Sequence, residues 1–393
     1  MIDTIFIAMS GLQGYQRGLR VIANNTANLN TPGFKGSALQ FADMFYANNG
    51  YGLGSYQSGQ YGFGLNTLGT TINFKPGQLQ NTGNALDLAV DGQGLFVLRD
   101  SAGNIHFTRA GQFEFNADGV LVSSATGEQV MALDAQGNLT PIDLTTQRTQ
   151  AATATTNVTF RGNLTTGAAT STVGSVRVYD AAGSAHTLSV RFDQVTGTPG
   201  SWTVTLLDGT TEVGSGQIAF LNGRTDPAHA TVALTYAPAG QTPTTLTLDF
   251  TNNVTSSDGG TSSTLVMDTA NGYPPGSLVG TAFDTAGTLV LSYSNGQKVN
   301  SSRLALGNFS SQDAVESLGN NEFAAKDGLG WLIGRPEQAG FGPVRSGMLE
   351  LSNVDLSQQF SDLVIMQRGY QASSQVVSTA SEMINELFGM RSK

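Results

Sequence analysis

The chain has 393 residues, enough for two or three domains, with only 12% charged residues and a formal net charge of −10. No Lys/Arg run exceeds two residues, so the clustered basic surface that nucleic-acid binding needs is missing. Cysteine is absent, which excludes disulfides, thiolate metal sites and a cysteine nucleophile.

The first segment reads as a helix. Ile5, Ala8, Leu12, Tyr15, Leu19, Ile22, Thr26 and Leu29 recur at alternating steps of three and four, the seam of a helix that packs on other helices. Asp3 and Thr4 can cap its start, giving a helix from about residue 4 to 28. The run from Asn24 to Gly33 closes it, because Asn tolerates left-handed geometry and Pro32 disfavours helix at Thr31. Ile5–Met9 is too short for a signal-peptide core and no basic segment precedes it. No window approaches the ~20 apolar residues of a membrane-spanning helix.

Residues 31–70 are dense in Gly, Tyr, Asn and Gln and read as a loose linker. From 71 to 148 the alternation is that of strands, with turns expected at Asp91-Gly92, Gly103-Asn104, Asp118-Gly119 and Gly137-Asn138. A Thr/Ala-rich stretch, 145–156, reads as a second linker. Strands resume over 149–281, with turns at Asp208-Gly209 and Asn222-Gly223, and predict a β-sandwich or barrel. Strands return over 282–350, as at Leu289–Leu291 and Leu304–Phe309, so the middle block is an insertion into a split domain. The last segment, 351–393, carries a second helical seam at Leu356, Leu363, Met366, Tyr370, Val377, Ala380, Ile384 and Leu387. Gln359 and Ser373 interrupt it without moving its register. The expected fold is mainly β with α-helical termini brought together as a coiled-coil-like domain, from which the split β domain and its insert project.

Chemistry is sparse. His106, His186 and His229 each stand alone in the sequence. Glu114–Gly119 resembles the start of a Ca²⁺ loop but has Ala125 where the closing Glu should fall, and reads as a hairpin turn. Gly328–Gly334 has its glycines misplaced for a dinucleotide loop. Trp202 and Trp331 read as core. No catalytic, cofactor or metal residues are predicted, and no enzyme.

The two ends carry a resemblance. Met9-Ser-Gly-Leu12 together with Val21–Gly36, in which Asn24, Asn25, Asn28, Pro32, Gly33 and Phe34 stand out, resembles the amino-terminal motif of bacterial flagellar rod and hook proteins. Leu349–Phe360 and Met366–Ala372, with Asn353, Val354, Asp355, Gln367, Arg368 and Tyr370, resemble the matching carboxy-terminal motif. Asn81–Gly92 and Phe107–Phe113 are similar to the family's first β domain. Asn24-Asn25-Thr26 before Thr31-Pro32, and Gln358-Gln359, vary the usual spelling and blur the branch. The resemblance implies a self-assembling structural subunit, and the large insert favours a hook over a distal rod subunit. An extracellular β-rich adhesin would explain the middle but not the paired helical ends. The family further implies a curved tube acting as a universal joint between rod and filament. It implies export through the flagellar type III apparatus without signal cleavage, and placement at the cell exterior. Phe41 and Phe45 match the family's export-gate pattern. The implied partners are copies of itself and the rod, hook-cap, hook–filament junction and export proteins.

Overall fold

The structure, a computed structural model, describes residues 2–44, 46–48, 60–238, 240–311, 314–326 and 330–391. Two long helices stand at the ends, α1 (Ile2–Ala27) and α2 (Leu356–Arg391), with β structure between them. Asp3 and Thr4 lie inside the first turn of α1 rather than before it, where an acidic side chain favours the positive end of the helix dipole. Asp355 caps α2: its Oδ1 accepts from the amides of Ser357 at 2.8 Å and Gln358 at 3.1 Å.

The chain divides into two compact units, one of residues 1–145, 281–290 and 300–393, the other of 146–280 and 291–299. In the first, the stretch expected to be a linker is largely a hairpin. Ser37–Asp43 pairs antiparallel with Leu65–Ile72, with a bulge between Gln40 and Phe41, and Tyr46–Asn48 pairs with Gln60–Gly62. Its many glycines suggest a loose segment, but Leu39, Phe41, Leu65 and Thr67 keep the two long arms in strand alternation.

Beyond this lies an antiparallel sheet whose central strands, Leu95–Arg99, Ile105–Thr108 and Gln129–Leu133, are flanked by Glu322–Ala325 on one side and Leu121–Ser123 on the other. Asn116–Gly119 is the tight turn of a hairpin in which Phe115 faces Leu121. Phe107 anchors one core cluster, edge-on to Phe309 and Trp331 at centroid distances of 5.0 and 4.9 Å. The returning chain zips onto the outgoing chain twice, Val344–Ser346 on Leu88–Val90 and Met348–Glu350 on Leu79–Asn81. That pairing is what makes a domain split by the insert a single body.

The second unit wraps a sheet around its own core. The strands alternate strictly, as in Thr231–Tyr236, where Val232, Leu234 and Tyr236 are buried and their neighbours exposed. Trp202 is fully buried among Phe160, Phe192 and Phe250, with its Nε1 donating to Ser256 Oγ at 3.3 Å. Leu221 pairs with Arg224 across Asn222-Gly223, both at positive φ as a two-residue hairpin turn requires. Residues 291–299 belong to this unit, although the sequence assigned them to the returning leg. Tyr293 Oη donates to Gln147 O at 2.8 Å, and Asn295 Nδ2 reaches Gln150 Oε1 and Pro274 O.

Tyr236 lies buried in this core with its hydroxyl donating to Asp208 Oδ2 at 3.1 Å. Burial, and then the neighbouring carboxylate, push its pKa from 10.0 up to about 12. Folded protein therefore holds this proton where unfolded protein releases it: the contribution is intact below pH 10 and is lost as pH rises toward 12. Tyr236→Phe should show a shallower loss of unfolding free energy than wild type across that window, read by urea titrations at each pH.

Candidate assembly interface

The contact between the terminal helices is built on absent side chains. The buried line of α1 is Ala8, Gly11, Gly14, Gly18, Ile22 and Asn25. A methyl added to Gly11 would lie 2.9 Å from Ser373 Oγ, and one on Gly18 would lie 2.9 Å from Met366 Sδ. Asn25 Nδ2 donates to Gln359 Oε1 at 2.9 Å. Steps of seven in α1, 11 to 18 to 25, thus meet steps of seven in α2, 373 to 366 to 359, so the helices run antiparallel in heptad register. Gly369 repeats the device from the other side, its missing methyl replaced by the Tyr15 ring. Each helix-interior glycine costs about 0.5–1 kcal/mol in chain entropy, offset here by the Ser373, Met366 and Tyr15 side chains that pack into the space.

Asn25 carries more than the helix pair. Its amide also exchanges two hydrogen bonds with the backbone of Ser37, Nδ2 to O at 2.8 Å and N to Oδ1 at 3.0 Å. One buried side chain thereby ties α1, α2 and the first strand together. Asn353 does the same at the other leg, accepting from Gly36 N at 2.8 Å and donating to the carbonyls of Asn73 and Lys75. Between these lies a buried charge triad. Glu350 Oε1 takes Lys35 Nζ at 2.5 Å and Gly77 N at 2.7 Å, and its Oε2 takes Arg109 at 2.9 Å. Arg109 also donates to the carbonyls of Val90 and Gly92, and Lys35 reaches Lys75 O. Burial lowers the pKa of both cations, and Glu350 opposes it. Gly33, at φ +72°, lets its own N–H meet Glu350 O at 2.7 Å; a methyl there would overlap the backbone of Ala110.

Of the predicted seam, Ile22 is buried and Ile5, Leu12, Tyr15, Leu19, Leu29, Leu363, Met366, Val377 and Ile384 are half-buried. Leu356, Tyr370 and Leu387 are exposed, while Gln359, Gly369 and Ser373 take inward places. The polar Gln359 and Ser373, which looked like breaks in the second seam, are the residues that fit the glycines and Asn25 of α1. Among the motif residues, Asn25 and Gly33 are buried; Asn28, Pro32, Phe34, Asn353 and Val354 are half-buried; Asn24, Asp355, Gln367 and Arg368 are exposed. Asn28 closes α1 by donating to Asn24 O at 2.9 Å, and Pro32 O accepts from Asn321 Nδ2. Phe41 is 38% exposed, its ring tilted against Tyr15 at 6.0 Å; Phe45 lies outside the described residues. Lys35, Arg109 and Glu350 were not singled out by sequence: three separated charges carry no local pattern, and only the paired legs bring them together.

Four families match along the chain. Residues 5–35 match the flagella basal body rod protein family, and 89–166 match the flagellar hook protein FlgE/F/G D1 domain. Residues 165–323 match the flagellar basal body protein FlaE D2 domain, and 345–390 match the C-terminal region of the flagellar basal body rod FlgEFG proteins. The flagellar hook protein FlgE of Escherichia coli K12 is 32% identical, with the alignment covering 98% of this chain and 99% of that one. The chain belongs to the flagellar hook protein family. The hook protein of Borreliella burgdorferi is 28% identical over the whole of both chains. A crystal structure of a Helicobacter pylori flagellar hook protein has the same fold, with a TM-score of 0.51, 15% identity, and coverage of 70% of this chain and all of that one. A distal rod subunit is not favoured, because the relatives that match over the full length, insert included, are hook proteins.

In this hook protein, Glu350→Gln should cost about 3–5 kcal/mol, since it strands two buried cations. Lys35→Met should cost less, because Arg109 and Glu350 remain paired. Urea unfolding of both variants checks the order, and the reverse order would mean that charge pairing does not govern the triad. Gly33→Ala should lose more than the ~1–2 kcal/mol of left-handed strain alone. Gly83→Ala, at φ +75° with open space around it, should lose only that strain, as thermal unfolding will show.

Proposed function

We propose that this hook subunit polymerises through its terminal helices, whose outward faces are covered by the helices of neighbouring copies. The observation that carries this is an excess of bare apolar surface on helices that already pack on each other. Phe6, Ile7 and Met9 are exposed on α1, and Phe360, Val364, Ile365, Met383 and Phe388 on α2. On α2 these residues lie to both sides of the line that meets α1. Large apolar side chains left exposed on more than one face of a helix mark surface that a partner covers, so the hairpin is only part of its packing arrangement. Like faces on identical copies supply the missing half at no cost in new sequence. Tyr370 and Leu387, exposed in the single chain, become seam residues in that assembly.

The resulting tube is curved and flexible and passes torque from rod to filament. Sliding between the outer β units of neighbouring subunits needs contacts that are individually weak, and the Thr, Ser, Asn and Gly that dominate residues 146–280 suit such contacts. The subunit reaches the cell exterior through the flagellar type III export apparatus without cleavage of a signal. Phe41 serves in that step, together with Phe45 of the same five-residue pattern. Rod, hook-cap and hook–filament junction proteins are its further partners. Its role is structural, not enzymatic.

Deletion of residues 1–30 or 355–393 should leave folded β units, by circular dichroism, that form no tubes in negative-stain electron microscopy. Full-length protein, concentrated with cap protein if needed, should form curved tubes. Tubes from either truncation would sink the role of the terminal helices, and straight rigid tubes from the full chain would favour a rod-like subunit.

A further inference from the structure

His106 stands alone in the sequence but not in the fold. It lies on Ile105–Thr108, which pairs with Glu322–Ala325 in the register Thr108 to Glu322 and Phe107 to Phe323. Thr108 is one side-chain repeat from His106, so Glu322 falls diagonally across from it on the same face. Glu128, at the turn leading into Gln129–Leu133, completes the group. His106 Nδ1 lies 2.9 Å from Glu128 Oε1 and 3.9 Å from Glu322 Oε2, and one donor atom from each residue falls within 4.8 Å of the others.

Glu322 is the feature that a structural role leaves unexplained. Its side chain is 8% exposed, and its Oε1 is buried without a hydrogen-bond partner. The Thr126 hydroxyl, itself buried without another partner, stands beside it. A buried carboxylate met by no more than a neutral hydroxyl is costly unless a cation meets it.

We propose that His106 Nδ1, Glu128 and Glu322 bind one divalent transition-metal ion, Zn²⁺ by their chemistry, with water completing the shell. Zn²⁺ takes imidazole nitrogen and carboxylate oxygen at ~2.0–2.2 Å in tetrahedral geometry, which puts two ligands roughly 3.3–3.5 Å apart. The observed 2.9 and 3.9 Å bracket that spacing. One nitrogen and two carboxylates are too few oxygens for Ca²⁺ and a poor match to octahedral Mg²⁺. The side chains of His106 and Glu128 are 15% and 14% exposed, so solvent reaches the group from their side. The ion would pin the returning leg, through Glu322, to two separate parts of the outgoing leg, and would stabilise the split domain by mass action.

The test uses the full chain, stripped with EDTA and dialysed, in calorimetric titration with ZnCl₂ and in thermal melts with and without Zn²⁺. Wild type should take up one equivalent and melt at higher temperature with Zn²⁺. His106→Ala and Glu322→Gln should each lose both effects, while His229→Ala, which removes an exposed histidine paired with Asp226, should keep them. Glu128→Gln, on the open side, should weaken binding at least tenfold and serves if a Glu322 variant does not fold. Absence of Zn²⁺ uptake by wild type at tens of micromolar, an unchanged Zn²⁺ response in folded His106→Ala or Glu128→Gln, or an equal response to Mg²⁺ would each overturn the site.

Discussion

The Glu350 carboxylate is the contact on which the first unit depends. Taking three charges out of water is expensive, and such a group persists only when every donor and acceptor is met. Here the charges are well met: Glu350 receives the Lys35 ammonium, the Arg109 guanidinium and the Gly77 amide, Arg109 finds two further carbonyls and Lys35 one. Lys35 follows the end of α1 by eight residues and Glu350 precedes Asp355, the cap of α2, by five. The triad therefore fixes the points at which the chain leaves the helical hairpin and comes back to it. An apolar cluster would bury surface as well, but it would not specify one register for two legs separated by more than 200 residues. The directional bonds do that.

The helix pair follows a related logic with opposite means. Gly11, Gly18 and Gly369 give up helix propensity to make room for the Ser373, Met366 and Tyr15 side chains, and Asn25 supplies a polar register mark at the end of the same heptad row. A lone buried polar group opposite Gln359 is satisfied in only one alignment, so a slip of one heptad would strand it. Asn25 and Glu350 are thus two locks, one on the helix seam and one beneath it, joined through the backbone of residues 33–37.

Much of this was legible in the sequence because it is local. Heptad spacing, Asn and Pro at the end of α1, and the Asp-Gly and Asn-Gly turns are short-range patterns with direct conformational causes, and the helices and strands stand where those patterns place them. What failed was non-local or masked by composition. Residues 37–72 look loose because glycine outweighs the strand alternation in a short window. Within one chain Leu356, Tyr370 and Leu387 are exposed, while Gln359, Gly369 and Ser373 take inward places beside Met366 and Tyr15, because apolarity alone does not mark which face of a helix its own partner covers. The partnership of His106, Glu128 and Glu322 depends on strand order, which no spacing along the chain reveals.

The exposure of Leu356, Tyr370 and Leu387 points to how the subunit divides its labour. If the large apolar side chains of α1 and α2 had closed on each other, the hairpin would be satisfied in the monomer and nothing would remain to drive assembly. Small residues and hydrogen bonds hold the pair instead, and Phe360, Val364, Ile365 and Met383 stay outside. The hydrophobic term, the largest available, is thereby kept for contacts between copies. The charge triad and the zipped legs hold the β unit independently of those contacts. In the proposed assembly, the surface that joins one copy to the next is the one that the subunit's own fold leaves uncovered.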